Sequence, residues 1–272
     1  VQSIDGMKLY DVTSVDNRGL LFPYVPNTGK KTPNGAPIGN NVTADPAIRQ
    51  AVNYAIDRKA LVEGILEGYG SPAHGPVSGL PWEEPNAVVQ DAQPDRAKQI
   101  LAEGGWTDKN GDGVLEKGDL GAEFTILYPA DDSIRQALAL SVAEMIKPIG
   151  IQANVEGKSW DVIEPMMHSN AVIFGWGRND PTEMYTLHHS KTAQGSYANA
   201  GYYANSQIDS VLDLAMGAPS EEEALAFWKA AQWDGQKGFT AKGDAAWAWL
   251  VNLDHTYFVS NCLDIGKPQI EP

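Results

Sequence analysis

The sequence has a single cysteine, Cys262, in 272 residues, so no internal disulfide is available and cysteine usage is silent about compartment. Long apolar runs are missing too. Nothing approaches the roughly 18 consecutive residues that a membrane-spanning helix requires. Positive charge is scarce: Lys and Arg number 20 against 35 Asp and Glu, a formal net charge of -15. A phosphate backbone or an anionic membrane needs clustered cations, so nucleic acid is not an expected partner. Catalytic signatures are also lacking. There is no G-x-S-x-G elbow, P-loop, H-E-x-x-H or dinucleotide fingerprint, and Cys262 has no histidine at a catalytic spacing. Asp180 with His188 or His189 can be drawn as an acid–base pair, but nothing supplies a nucleophile or an oxyanion site beside them. A hydrolase is therefore the weaker alternative, and a non-catalytic protein is expected. The chain starts at Val1 without methionine or signal peptide and stops in the loop-like residues 266–272, so a segment of a longer protein is expected.

What is present is 43% hydrophobic content, enough for one large domain or two small ones with a real core. The organising stretch is 171–190. Ala171, Val172, Ile173 and Phe174 form a short unbroken apolar run, as in a strand buried on both faces, and it stops at Gly175, Trp176 and Gly177. Arg178, Asn179 and Asp180 follow, and Asp180-Pro181 reads as a cap with proline at the first helical position, opening a helix that carries His188 and His189. An indole, a guanidinium and a carboxylate are thus delivered to one strand-end loop, where open α/β sheets hold ligands. Internal pairing of Arg178 with Asp180 is the structural alternative.

Residues 7–25 alternate loosely and suit one or two strands, and residues 26–42, rich in Pro, Gly, Asn and Lys, suit an exposed loop. Asp45-Pro46 and then Asp57 start two core helices that end at Gly68 and Gly70, followed by a Pro- and Gly-rich covering loop over 71–85. A short helix from Gln93-Pro94-Asp95 leads to residues 108–119. Asp108, Asn110 and Asp112 occupy the first, third and fifth positions of a calcium-loop template, with Gly113 at the sharp turn. The last position is Asp119 where a bidentate Glu is wanted, and a strand follows instead of a helix. A tight Asx- and Gly-rich hairpin turn is preferred, with a calcium-binding extracellular module as the alternative. From Phe124 onward the pattern runs strand, helix, strand, helix, strand, a βαβαβ unit, which implies α/β architecture with a mixed, largely parallel sheet covered by helices. Ser206 and the Ser220/Glu223 capping box open two further helices, His168 is expected to be a solvated helix end, and 246–260 returns to the sheet. Tyr202 sits in a polar aromatic loop, 194–206, that suits a ligand cleft or a closing surface.

The order of these residues resembles a known family. The segment DPAIRQAVNYAIDRKALVEGILEGYGSPA, then Gly104-Gly105-Trp106, Tyr128-Pro129, Ile149-Gly150-Ile151, Trp160, Gly175-Trp176, Asp180-Pro181, Asn199, Gly201-Tyr202, Asn205 and Asp209 are similar to extracytoplasmic solute-binding proteins of peptide and nickel ABC transporters, family 5. These matches span about residues 45–214, and residues 264–272 resemble the point where the family chain crosses to its other lobe. The resemblance implies a periplasmic-binding-protein-like (type II) fold. It also implies that residues 1–272 are one large C-terminal lobe of a two-lobed, monomeric clamp whose other lobe is absent from this chain. Solute is held between the lobes and passed to a membrane permease. The implied ligand residues are Trp176, Arg178, Asp180 and Tyr202, with Asp180 facing a peptide amine and Arg178 a carboxylate. No cofactor is required, and a nickel complex enters only as the transported ligand. The loop between Gly-Trp and Asp-Pro is shorter than the family's and leans toward the nickel branch. There His188 or His189 would offer an imidazole, though adjacent helical residues point about 100° apart. The expected location is extracytoplasmic, periplasmic or lipid-anchored.

Overall fold

Carboxylates and prolines start the first helices as the sequence implies. Asp45 accepts the Ala47 N–H at 2.9 Å ahead of α1 (Pro46–Ala55), and Asp57 accepts the Ala60 N–H at 2.9 Å ahead of α2 (Arg58–Ile65). This computed structural model describes residues 4–266, so the part of the 264–272 tail beyond 266 lies outside the described residues. The other helices are α3 (Pro94–Glu103), α4 (Ser133–Ile146), α5 (Trp160–Met166), α6 (Thr182–His188), α7 (Ser206–Gly217) and α8 (Glu221–Gln232). Asn205, not Ser206, caps α7 through the Gln207 N–H, whereas Ser220 and Glu223 form the expected box on α8.

A six-stranded sheet lies between two helical layers. Its strands are β1 (Met7–Leu21), β2 (Gly70–Pro72), β5 (Glu123–Pro129), β6 (Gln152–Lys158), β7 (Ala171–Phe174) and β8 (Trp247–Ser260), in the spatial order β2-β8-β1-β7-β5-β6. The βαβαβ unit holds, with β5 parallel to both β6 and β7. The sheet as a whole is mixed but not largely parallel: β1 runs antiparallel to β7 and β8, and β2 antiparallel to β8. Strand direction outside a βαβ unit depends on which edge the chain joins, and local pattern does not encode that.

Alternation of side chains splits the core in two. Leu20, Ile126, Ile173 and Leu250 face α1 to α4, where Ile48, Val52, Leu101 and Val142 cover them. Leu21, Leu127, Val172 and Trp247 face the other way, onto Ile163 of α5, Leu187 of α6, Leu212 of α7 and Trp228 of α8. His168, expected in solvent, is buried and shares a hydrogen bond with the Ala200 carbonyl at 2.9 Å. The pairing of β1 with β8 continues from Leu21↔Trp247 out to Met7↔Ser260, far past the three-residue match of β1 to β7. The outer half is a two-stranded ribbon projecting from the end of the sheet at which β7 finishes. Tyr257 and Phe258 are exposed on it.

Two buried guanidiniums tie the helices to the sheet. Arg58, 0% exposed, donates to the carbonyls of Ala73 at 3.0 Å, Trp249 at 2.7 Å and Asn53 at 3.1 Å, to Asn53 Oδ1 at 2.9 Å, and pairs with Asp91 at 2.5 Å. Arg49 donates to the carbonyls of Thr43, Ala44 and Asp244 and lies over the Tyr24 ring at 4.2 Å. Truncation of Arg58 strands Asp91 and several carbonyls without a donor. Arg58→Met is therefore expected to cost about 3–5 kcal/mol in a denaturant melt, and Arg58→Lys to recover only part of it, because one ammonium cannot span the fork.

Candidate functional site

The loop leaving β7 is clamped from β1. Gly175 packs so tightly that a Cβ there would lie 1.9 Å from the Asn17 carbonyl oxygen, which makes glycine obligatory. Asn17, fully buried, donates its N–H to the Trp176 carbonyl at 2.9 Å and accepts the Trp176 N–H on Oδ1 at 3.0 Å, while its Nδ2 holds the Pro76 carbonyl. The β1/β8 register shifts on either side of Asn17 and Arg18, and this irregularity turns Asp16, Asn17 and Arg18 toward the end of β7.

Around that end stand two tethered guanidiniums. Arg18 pairs with Asp16 at 2.5 Å, and Arg135 at the start of α4 pairs with Asp132 at 2.8 Å, its guanidinium 5.6 Å from the Trp160 ring. Burial holds Arg135 below its usual range, and the like charge of Arg18 adds to the effect. Phe174 forms the aromatic floor, with Trp160, Trp176 and Tyr197 at centroid distances of 5.6, 6.0 and 5.9 Å. Arg178 is exposed and lies over Trp176 at 5.6 Å. Asp180, also exposed, accepts the Thr182 N–H at 2.9 Å. Trp176, Arg178 and Asp180 therefore share one loop, and Arg178 and Asp180 form no ion pair within it.

Glu183, in the first turn of α6, is the feature that sequence reading missed most clearly. It is 0% exposed and neither carboxyl oxygen meets a partner at full hydrogen-bonding geometry, the Arg178 backbone N–H being the donor that approaches it. Burial pushes it up to about 8, Arg178 opposes this, and Asp16 and Asp180 reinforce it. Ten buried side-chain N or O atoms lack partners among the described residues. Five of them, on Arg18, Arg135, Trp176 and Glu183, surround this strand end. Such atoms are rare in folded chains, and their clustering makes this strand end the candidate site. The three consecutive polar residues Asp16-Asn17-Arg18, breaking the loose alternation of β1, were the available sequence signal.

The other candidates lie elsewhere. Tyr202 touches the ring of His168, which precedes β7, so it sits toward the opposite end of that strand, lining a separate cavity of about 450 Å³ with Val25, Ile38 and Tyr203. His188 is buried against Phe239, rings stacked 3.7 Å apart, and burial pushes it down to about 3. His189 stacks on Tyr185 and turns to Asp209 and Asp213. Helix α6 carries both imidazoles away from the loop, roughly 10 Å along its axis. Within 108–119, residues 108–115 form an Asx-rich turn closed by an antiparallel bridge between Thr107 and Glu116, and the small hairpin of β3 (Glu116–Lys117) and β4 (Leu120–Gly121) follows. Asp108 accepts the Gly111 and Gly113 N–H groups, and Asp112 accepts that of Val114. Carboxylate oxygens of Asp108, Asp112 and Glu116 lie within 4.8 Å of one another. Glu116, not Asp119, joins the group, and Asn110 bonds to Asp112.

Helices on both faces of a mixed sheet, with a polar strand end at the foot of a two-stranded ribbon, give an α/β fold of the type II periplasmic-binding-protein class. Two solved structures share it. AppA from Bacillus subtilis, in complex with a nonapeptide, superposes with a TM-score of 0.80 at 22% identity over 98% of this chain and 50% of its own. NikZ from Campylobacter jejuni, in complex with Ni(L-His), superposes with a TM-score of 0.77 at 22% identity over 96% of this chain and 49% of its own. Residues 3–198 match the family described as bacterial extracellular solute-binding proteins, family 5 Middle, and the chain belongs to that family. Protein XP55 of Streptomyces lividans is 35% identical over 270 residues, 98% of this chain and 46% of its own. The chain thus spans about half the length or less of the relatives it matches.

Glu183 also gives the site a pH signature. Its carboxyl is raised in the folded chain, so the stabilisation from its neutral form is present below about pH 4 and is lost as pH rises through about 8. Glu183→Gln is expected to melt like the parent at low pH and to become the more stable of the two toward pH 8, as read by denaturant unfolding across that range.

Proposed function

We propose that this chain is one lobe of a non-catalytic, two-lobed solute-binding protein serving an ABC importer. It works outside the cytoplasm and hands its solute to a membrane permease. The observation that carries this reading is the gathering of Arg18, Arg135, Arg178 and the indoles of Trp160 and Trp176 at the end of β7, beside a ribbon whose two strands lead away from the sheet on that same side. A second lobe continuing from that ribbon would close over the strand end. Exclusion of water would then strengthen every charge-assisted bond made there. No helix among the described residues is long and apolar enough to cross a membrane.

Arg18 and Arg135 are matched by Asp16 and Asp132, so the exposed Arg178 guanidinium and the aromatic groups suit a solute with at least one carboxylate and a flat or apolar portion. Peptides and nickel–amino acid complexes both meet that description, and AppA and NikZ, the structural relatives, hold one of each. Arg178 is the exposed guanidinium of the set and is assigned to the solute carboxylate, with Asp180 toward a cationic group. His188 and His189 are not assigned to the solute, since both side chains are buried on α6 away from this loop.

Calorimetric titration of the whole protein containing this lobe, with a nonapeptide and separately with Ni(L-His), tests the reading. Heat with one of the two is expected, weakened at least about tenfold by Arg178→Ala, in keeping with the loss of one charge-assisted pair. This chain alone is expected to bind weakly, because half of the enclosing surface is missing. Tight binding by the chain alone would sink the single-lobe reading.

A further inference from the structure

The Glu183 carboxyl is wholly buried, no side chain hydrogen-bonds either oxygen, the Arg178 backbone N–H is the donor that approaches it, and the charged groups that face it are Arg178 and Asp180 from the loop and Asp16 from β1. An unpaired carboxylate in such a place is strongly disfavoured, so the group holds its proton in the arrangement observed. The cation among its neighbours, Arg178, forms no ion pair with it. The guanidinium lies outward over the Trp176 indole. Arg178 therefore has two places to go. Outward, it stacks on Trp176 and meets the solute above a neutral Glu183. Inward, it pairs with an ionised Glu183 and leaves the indole.

We propose that Glu183 is a positioning residue that competes with the solute for Arg178: when ionised it draws the guanidinium inward off Trp176, and when protonated it leaves Arg178 to an anionic group of the solute. The exchange involves one proton, released from the Glu183 carboxyl to solvent as Arg178 turns in and taken back as it turns out. No other bond forms or breaks. The proposal rests on the proposed function only for what Arg178 meets on the outside. Burial with Asp16 and Asp180 places the exchange near pH 8, and Arg178 turning inward pulls the midpoint down. Affinity for a carboxylate-bearing solute should accordingly fall about tenfold per pH unit above the midpoint and stay level below it.

The test needs no solute at first. In a fluorotryptophan-labelled chain, with Trp176 assigned by the resonance lost in Trp176→Phe, the fluorine signal of Trp176 and the carboxyl signal of Glu183 are followed from about pH 5 to about pH 9. A common midpoint is expected, below about 8 but above the ordinary carboxylate range. The Trp176 response should vanish in Glu183→Gln and in Arg178→Gln, and Arg178→Gln should raise the Glu183 midpoint. Titration of Glu183 in the ordinary carboxylate range, or a Trp176 signal that ignores the Glu183 titration, would overturn the proposal. If Glu183→Gln does not fold, the parent chain and Arg178→Gln decide by themselves. A second arm measures binding of the nonapeptide and Ni(L-His) by the whole protein against pH, where Glu183→Gln should flatten the alkaline loss. A flat profile in the parent would count against competition. Absence of binding by either probe would count against the proposed function and leave the coupled titration to judge Glu183.

Discussion

Arg58 is the constraint on which the fold depends. A guanidinium with no exposure is tolerable only if its donors are spent, and here they are spent on the carbonyls of Asn53, Ala73 and Trp249 and on the Asp91 carboxylate. Those groups belong to α1, the segment after β2, β8 and the loop ahead of α3. One side chain thus sets the place of four separate pieces of chain. Arg49 repeats the device on α1, joining that helix to the Thr43–Ala44 turn and to Asp244, just ahead of β8. With β8 held, β1 is held, since the two are paired over most of their length. With β1 held, Asn17 is in place to clamp Trp176.

The strand end shows the opposite economy. Where every nitrogen of Arg58 has a partner, Arg18 and Arg135 each keep one buried N–H without one, Trp176 keeps its indole N–H, and no side chain hydrogen-bonds the Glu183 oxygens. Each unpaired buried atom costs about 1–3 kcal/mol. Their presence beside exposed Arg178 and Asp180 sets this polar rim apart from the hydrogen-bonded base. The ribbon that projects over this rim links the two, because its strands β1 and β8 are those the buried arginines secure.

Much of this was legible in the residues. The Asp-Pro and Asp caps, the Gly stops, the βαβαβ order and the apolar run of β7 are local features, set by side chains within a few positions of each other. Trp176, Arg178 and Asp180 were readable as a group because they follow that run without a gap. Tyr202, His188 and His189 were not placeable in the same way. Tyr202 depends on how the 194–206 loop folds back beside His168. The histidines depend on which face of α6 meets Phe239 and which meets α7. Glu183 looked like an ordinary first-turn acid, and only the packing of the loop and β1 over it makes it a buried, proton-holding group.

The sequence by itself determined most of the helices and strands, the family and the loop after β7, because periodicity, capping and spacing act over short stretches of chain, while the short strand β2 fell within residues read as a covering loop. Tertiary structure alone decided that β1, β2 and β8 join antiparallel, that Asp16, Asn17 and Arg18 meet Asp132 and Arg135 at the end of β7, and that Glu183 is sealed from water. These depend on contacts between residues more than a hundred positions apart, and on desolvation, which belongs to a place in the fold and not to a residue type.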